Sequence, residues 1–480
     1  MSFTKRYIFS ILYLLICILS LVTDWYIMLC AALVTILLVQ ILDKLGKGVV
    51  LREIIAFHGC FVTLVMPAIG YRKFTYSHSL ARLWVRYMPV SESVYFDFAL
   101  PAVSLFVFAI CLPIHKKGIS DEGEFLNKLI RSAKETLKQK SLRRRGLNLV
   151  LVGVAMFFIA RVMPAQFRFT SLLFYFSAFA GILYVYYSSA FKFKTVFLLL
   201  FLAFIVAQAL SSGMFTILAY MGMTIFSLLF VGRKMQFWKK ASIFIAGVFV
   251  LLLIQSVKPA YRKHTWGGSY EGNKAALFFN LVVDKVTKAN FLSDEEIFWI
   301  YYRTNQGFNI GLVMRRVPRL QPHDGGVNLL RSAAASVVPR VLWPDKPEAG
   351  GKFNMKYYTG ITLVGWSTNI GPLGEAYGSF GKTGGITYMF FLGLFIRWAY
   401  RRVFYIARNI PLLICWLPVL FYQVTYSAET DTLQILNSLV KSAFFIWLLY
   451  KIVPGLFNKQ KVISKREKTA QVTNILHTVS

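Results

Sequence analysis

The stretch Trp25-Tyr-Ile-Met-Leu-Cys-Ala-Ala-Leu-Val-Thr-Ile-Leu-Leu-Val-Gln-Ile-Leu42 contains no charged side chain. As a helix it is long enough to cross the hydrocarbon core of a bilayer, which is about 30 Å thick. Similar apolar runs recur along the 480-residue chain, which is 56% hydrophobic and has a mean hydropathy of +0.55. These runs predict an all-α polytopic membrane protein.

We predict about twelve transmembrane helices, each from an apolar run of about 16 to 20 residues. The predicted spans are 7–23, 25–42, 54–70, 94–114, 147–162, 171–190, 195–210, 214–231, 241–257, 383–400, 410–426 and 432–450. The chain then divides into spans one to nine (1–257, with a cytoplasmic amphipathic loop at 115–146), a large extracytoplasmic loop (258–382), spans ten to twelve (383–450) and a basic cytoplasmic tail (451–480).

The net charge of +33 is distributed unevenly across these predicted spans. With the N-terminus in the cytoplasm, the inner segments contain 30 Lys and Arg residues, whereas the short outer loops and their edges contain six. Basic residues favour the cytoplasmic side of membrane proteins, so both termini are predicted to be cytoplasmic. Because topology accounts for most of the positive charge, we do not expect a nucleic-acid partner.

The predicted inner loop 115–146 has an amphipathic helical pattern. Its apolar residues fall on one face and are surrounded by lysines and arginines: Phe125, Leu126, Leu129, Ile130, Ala133 and Leu137. This pattern is typical of a helix lying on anionic lipid. A docking site for a cytosolic partner is the alternative.

The outer loop 258–382 is far longer than a passive connection, and long ordered loops tend to carry function. We predict three helices in it, at about 274–289, 293–316 and 326–338. Ser293 and Glu296 form a capping-box pattern at the start of the second helix, and Pro339 ends the third. Pro344 and Pro347 then predict an extended path.

The most rigid and polar part of this loop is Val337-Val-Pro-Arg-Val-Leu-Trp-Pro-Asp-Lys-Pro-Glu-Ala-Gly-Gly-Lys-Phe-Asn354. Arg340 lies between prolines, and a guanidinium held in place is well suited to bind phosphate. A structural ion pair, for example with Asp345, or contact with a lipid headgroup would also explain this arginine.

Other residues are candidates for binding or proton transfer. Glu375 and His323 could act as a general base, although a carboxylate beside the membrane can also be a structural partner and a loop histidine can simply be exposed. Lys441 is a charge near the middle of the last span, where it could meet a phosphate or pair internally. The remaining candidate contacts to substrate are Arg331, Arg315, Arg319, Lys346 and Trp343.

We find no P-loop, no HExxH, no nucleophile elbow and no clustered metal ligands. The five cysteines all lie in apolar runs without metal-ligand spacing. An enzyme with this sequence is therefore expected to work without a metal or other cofactor.

Two motifs resemble one family. The pattern Pro339-Arg-Val-Leu-Trp-Pro-Asp-Lys-Pro347, followed by Gly350-Gly351 and Phe353-Asn354, and the pattern Gly374-Glu-Ala-Tyr-Gly-Ser-Phe-Gly381 before a span are similar to those of Wzy-type polymerases. These enzymes polymerise the oligosaccharide repeat units of bacterial surface polysaccharides such as O-antigen. The overall layout, about a dozen spans with one large outer loop late in the chain, is similar too.

The resemblance implies an inverting, metal-independent glycosyltransferase with a GT-C-like architecture in the bacterial inner membrane. Its donor would be a glycan on undecaprenyl pyrophosphate, and its acceptor a repeat unit on the same lipid. Loop arginines would stabilise the leaving pyrophosphate. Membrane lipid, a flippase and chain-length regulator proteins are the partners that the resemblance implies.

Three alternatives stay open at this point. An O-antigen ligase shares the topology and the arginine chemistry but uses a different acceptor. A lipid-linked oligosaccharide flippase also has about twelve spans, but transporters tend to show repeated halves and binding groups at mid-membrane. A non-catalytic assembly scaffold is the third.

Overall fold

The computed structural model describes residues 3–114, 122–160, 162–164, 168–189, 191–212, 215–266, 270–287, 293–340, 342–364 and 368–458. The regular secondary structure in these ranges consists of helices, apart from one isolated bridge between Leu45 and Gly48. The predicted all-α class is therefore confirmed. Parts of the predicted inner loop (115–121) and of the predicted tail (459–480) lie outside the described residues.

The first half of the chain contains the helices α1 (Phe3–Val22), α2 (Tyr26–Lys44), α3 (Leu51–Cys60), α4 (Met66–Arg72), α5 (Ser79–Leu83), α6 (Glu92–Cys111), α7 (Glu122–Thr136), α8 (Lys140–Ile159), α9 (Arg168–Tyr187), α10 (Lys194–Ser212), α11 (Thr216–Leu229) and α12 (Phe237–Thr265). A π-helical turn, Phe61–Val65, joins α3 to α4 without a break.

The second half contains α13 (Lys274–Thr287), α14 (Asp294–Thr304), α15 (Gln306–Arg316), α16 (Val327–Val337), α17 (Lys352–Thr359), α18 (Gly371–Ala407), α19 (Leu417–Phe421) and α20 (Thr432–Ile452). Two 3₁₀ segments, Pro411–Trp416 and Val424–Glu429, flank α19.

Eight helical segments among the described residues are long and apolar enough to cross a membrane. They are Tyr26–Lys44, Leu51–Arg72, Glu92–Cys111, Thr170–Tyr187, Lys194–Ser211, Phe237–Thr265, Pro411–Glu429 and Thr432–Ile452. The chain is thus a polytopic helical membrane protein. The segment Tyr7–Val22 is also apolar but shorter.

Two helices extend across the predicted ends of the outer loop, whose boundaries stay predictions. The helix α12 continues to Thr265, past the predicted end of span nine at residue 257. The helix α18 begins at Gly371, and its non-helical residue Gly381 divides it into two parts next to the predicted loop end at residue 382. Gly381 has φ 67° within α18 and kinks the helix close to the predicted boundary.

The amphipathic helix α7 does not lie on lipid with its apolar face. Leu126, Leu129, Ile130, Ala133 and Leu137 are buried and belong to the main core. The helix packs against the 3₁₀ segment Pro411–Trp416. The pattern predicted the helix and its buried face correctly, but the protein itself covers that face.

The helices of the outer loop follow the predictions in part. The Ser293 Oγ accepts a hydrogen bond from the Glu296 backbone N–H at 3.4 Å and so caps α14 as predicted. The predicted helix 293–316 is broken at Asn305, whose ψ of 86° is not helical. At Pro339 the chain forms a turn, because the N–H groups of Leu342 and Trp343 both donate to the Pro339 carbonyl at 3.1 Å. The path there is not extended, and α17 was not predicted.

Candidate functional site

The Pro-rich segment after α16 (residues 339–340 and 342–350, called the return below) runs back along the end of that helix. Lys346 holds it there. The Lys346 Nζ donates hydrogen bonds to the carbonyl oxygens of Ala335 at 2.9 Å and Val338 at 2.7 Å. Carbonyls in the last turn of a helix lack partners within the helix, so a buried ammonium is well placed to bind them. Burial, and then the charge of Arg340, lower the pKa of Lys346. Lys346 thus holds this segment against α16, and its predicted contact with substrate stays a prediction.

Arg340 lies at the tip of this return and is half exposed. Its Nη1 lies 3.6 Å from the Glu348 Oε1 and donates to the Pro344 carbonyl at 3.4 Å. The ion pair that the sequence suggested with Asp345 is thus made with Glu348. A half-exposed ion pair contributes little to stability, so an incoming anion can displace Glu348 at small cost.

A groove of about 470 Å³ runs between α16, the return and α17. The Arg331 guanidinium lies 5.9 Å from the Trp343 ring centroid, in cation–π range, beside this groove. The groove therefore combines two cations and two carboxylates with aromatic surface. Its lining residues are Arg331, Asp345, Pro347, Glu348, Ala349, Gly350, Lys352 and Phe353.

Asp431 joins the floor of the groove to the start of α20. Its Oδ2 accepts hydrogen bonds from the backbone N–H groups of Gly350 at 3.0 Å and Gly351 at 3.1 Å, and from the Asn369 Nδ2 at 3.1 Å. Its Oδ1 caps α20 by accepting from the Gln434 N–H at 2.6 Å. Gly351 has φ 82° and no room for a Cβ, and Gly350 has φ 121°, so the backbone favours glycine at both positions of the motif.

Glu375 is enclosed close to Asp431, in the part of α18 that precedes the kink at Gly381. It is 2% exposed. Its Oε1 accepts from the Asn354 Nδ2 at 2.6 Å, and its Oε2 accepts from the Thr432 N–H at 2.8 Å and the Thr432 hydroxyl at 2.5 Å. Its partners are thus polar neutral groups on α17 and α20, not an arginine.

The pKa of Glu375 is raised to about 8. Burial is the main cause, the charge of Asp431 adds to it, and the hydrogen bonds from Thr432 and Asn354 offset part of the rise. The Glu375 carboxyl is therefore mostly protonated at pH 7.

His323 lies over the kink of α18. Its Nδ1 is 3.3 Å from the Gly378 carbonyl oxygen, and its ring makes an edge contact with Tyr377. The next residue, Asp324, accepts a hydrogen bond from the Tyr358 hydroxyl at 2.7 Å. His323 is half buried, so its ring is more accessible than the Glu375 carboxyl.

The other predicted contacts are spread over different elements. Arg315, at the end of α15, and Arg319, just beyond it, are both exposed. Neither lines the groove. Lys441 lies half buried on α20, within electrostatic range of Lys346 and Arg340. The structure thus brings Arg331, Arg340, Lys346, Trp343 and Lys441 into one region but leaves Arg315 and Arg319 outside it.

A second group of cations was not predicted as a unit. Lys258 and Arg262 are four residues apart in α12, on one face, and Arg303 is in α14, which packs against α12. Arg262, Arg303 and Glu429 all lie close enough to Lys258 to interact electrostatically with its ammonium group. The spacing of Lys258 and Arg262 was the available sequence signal, but Arg303 joins them only through helix packing.

Side chains that could bind a metal are not clustered in the parts of the chain that the structure describes. No group of three or more His, Cys, Asp and Glu side chains is arranged there to hold a metal ion.

Comparison with known proteins places the chain in one family. Residues 124–404 match the family described as Domain of unknown function (DUF8712). This match spans more than half of the chain, so the chain belongs to this family. No curated protein and no solved structure was found to match it.

Proposed function

We propose that this member of the DUF8712 family is a polymerase of lipid-linked oligosaccharide repeat units, similar in activity to Wzy-type polymerases. It would act at the outer face of the bacterial inner membrane, with twelve spans, both termini in the cytoplasm and a GT-C-like architecture. A flippase and chain-length regulator proteins would be its partners. The two sequence motifs that resemble the polymerase family are the starting point of the proposal.

The observation that carries the proposal is the presence of two groups of cations at the outer loop. One consists of Arg331 and Arg340 beside the groove, and the other of Lys258, Arg262 and Arg303. Polymerisation uses a donor and an acceptor that both carry a lipid pyrophosphate, so two anion sites fit this reaction. Two carboxylates just before α20 contact one group each. Glu429 interacts electrostatically with Lys258, and Asp431 accepts a hydrogen bond from the Gly350 N–H in the groove.

In the proposed reaction, a hydroxyl oxygen of the acceptor sugar attacks C1 of the first sugar of the donor glycan. The new C1–O bond forms with inversion while the C1–O bond to pyrophosphate breaks, and undecaprenyl pyrophosphate leaves with the bonding electrons. Guanidinium groups at this position stabilise the charge that develops on the leaving group. We assign this role to Arg340 and Arg331.

The hydroxyl proton needs an acceptor, and we assign it to His323. The His323 ring is half buried and accessible, whereas the Glu375 carboxyl is enclosed by Asn354 and Thr432. Glu375 then acts as a positioning residue that joins α17, α18 and α20. We expect His323→Ala to slow transfer by about 10²-fold or more, and Glu375→Gln to slow it less, in an assay of initial rates. The reverse order would return the base role to Glu375.

The direct test uses purified protein in nanodiscs with a lipid-linked repeat unit and no nucleotide or added metal. The wild type should give a ladder of polymers on a gel. Arg340→Ala, which removes a contact to the leaving group, should lower the rate by about 10²-fold.

Arg401→Ala is the matched control, because Arg401 is an exposed arginine of α18 on the predicted cytoplasmic side. It should polymerise like the wild type. Equal ladders from Arg340→Ala and Arg401→Ala would remove Arg340 from the site. If the wild type gives no ladder with its native repeat unit, the polymerase assignment fails. Transfer to a lipid A core acceptor would then indicate a ligase, and transbilayer movement of the unchanged lipid would indicate a flippase.

A further inference from the structure

The helix α16 exposes most of its large apolar side chains and buries mostly small ones, and the exposed Arg331 borders the groove. The exposed face carries Val327, Leu330 and Val337, which are 64%, 73% and 67% exposed. The buried face carries Ser332, Ala335 and Ser336 together with Leu329. In water a loop helix takes the opposite arrangement, because burial of apolar area supplies most of the folding free energy. Helices in lipid instead use small residues at their contacts with other helices.

The surroundings of α16 are those of a membrane helix. It packs along α20, which is one of the segments long and apolar enough to cross a membrane. The α20 helix itself exposes Phe444 and Trp447. The exposed apolar face of α16 therefore belongs to a helix that packs directly on a candidate membrane span.

The chain enters and leaves this element near the start of α20. At the entry, the Gly325 N–H donates to the Ser379 carbonyl of α18 at 3.0 Å. At the exit, the N–H groups of Gly350 and Gly351 donate to Asp431. In between, Lys346 ties the return to the end of α16. The eleven residues of α16 span about 16 Å, roughly half of a hydrocarbon core.

We propose that residues 327–340 and 342–349 belong to a re-entrant hairpin whose outer face contacts the acyl chains of the outer leaflet. Irregular backbone at membrane depth requires protein or a water-filled cavity beside it. The groove lined by Arg331, Asp345 and Glu348 supplies that polar space on the other side of the hairpin. The proposal goes beyond the transferase activity and does not depend on it.

The test measures the surroundings of single nitroxide labels on cysteines placed at Leu330→Cys and Val337→Cys, with the protein in phosphatidylcholine nanodiscs. All five native cysteines are buried, so wild-type protein treated with the same label gives the background. Oxygen concentrates in hydrocarbon, whereas a water-soluble nickel chelate is excluded from it. We expect the ratio of oxygen to nickel collisions at both positions to be several-fold higher than at Glu271→Cys, an exposed loop position.

Phe444→Cys on α20 is the hydrocarbon reference, and positions 330 and 337 should match it. Nickel collisions as frequent as those at position 271 would show that α16 faces water and would overturn the proposal. Low collision rates for both reagents would show that protein, such as a second copy of the chain, covers this face, and would also overturn it. If either variant fails to fold, Val327→Cys replaces it on the same face.

Discussion

At the scale of single residues, Glu375 couples stability to pH. Its pKa is 4.5 in the unfolded reference and about 8 in the folded protein. The folded state therefore holds one more proton between these values, so stability is lost as pH rises from about 4.5 to 8. We expect this loss to approach about 5 kcal/mol by pH 9 in the wild type. Thermal unfolding in detergent across this pH range measures it.

Glu375→Gln is the control for this pH dependence, because the amide has nearly the same shape but does not ionise. As pH rises, the melting temperature of the wild type should fall relative to that of the variant. A difference that stays constant with pH would show that Glu375 does not titrate in this way.

Asp431 is the second residue-scale determinant, because one carboxylate serves four donors. Asp431→Ala removes the cap of α20 and leaves the buried N–H of Gly351 without its partner. We expect a loss of about 3 kcal/mol. Asp431→Asn, which keeps an acceptor oxygen, should lose less. Denaturation midpoints in detergent measure these losses. Equal midpoints for Asp431→Ala and wild type would show that the hydrogen bonds of Asp431 do not stabilise the protein.

At the scale of elements, the α8–α9 pair depends on glycines that allow close approach. A Cβ added at Gly153 would lie 2.7 Å from the Ala178 Cβ and 3.0 Å from the Phe174 carbonyl oxygen. A Cβ at Gly181 would lie 2.6 Å from the Gly146 carbonyl oxygen. Membrane helices commonly pack through such small residues.

We expect Gly153→Ala to destabilise the protein by about 1 to 3 kcal/mol, because the two helices must move apart. Gly247→Ala in α12 is the matched control, since a Cβ there meets nothing within 4 Å. That variant should be neutral or slightly stabilising through helix propensity. The comparison uses the melting temperatures of the two variants, and equal losses would reject the close-packing argument.

At the scale of the whole molecule, the distribution of basic residues predicts that the loop 258–382 is outside the cell membrane and that Arg401 is inside. A membrane-impermeant maleimide should label Glu271→Cys in intact spheroplasts. It should label Arg401→Cys only after the membrane is opened. Labelling in the opposite order would invert the topology and exclude an outward-facing transferase site.

The amino-acid sequence by itself determined the fold class, the position of most helices and the segment that forms the groove. These features depend on local properties: a run of apolar side chains predicts a span wherever it occurs, and Ser293 caps α14 through the residue three positions on. The rigid Pro-rich segment was likewise recognisable from its own residues. The break at Asn305 and the part of α18 that precedes the kink at Gly381 were missed, because packing against other elements overrides local propensity there.

Only the tertiary structure decided which polar groups meet. It paired Arg340 with Glu348, placed Lys346 on the carbonyls at the end of α16 and enclosed Glu375 between α17 and α20. It also joined Arg303 to Lys258 across two helices. Electrostatic and hydrogen-bond contacts act over a few ångströms, and helix packing alone brings residues that are far apart in the chain within that range.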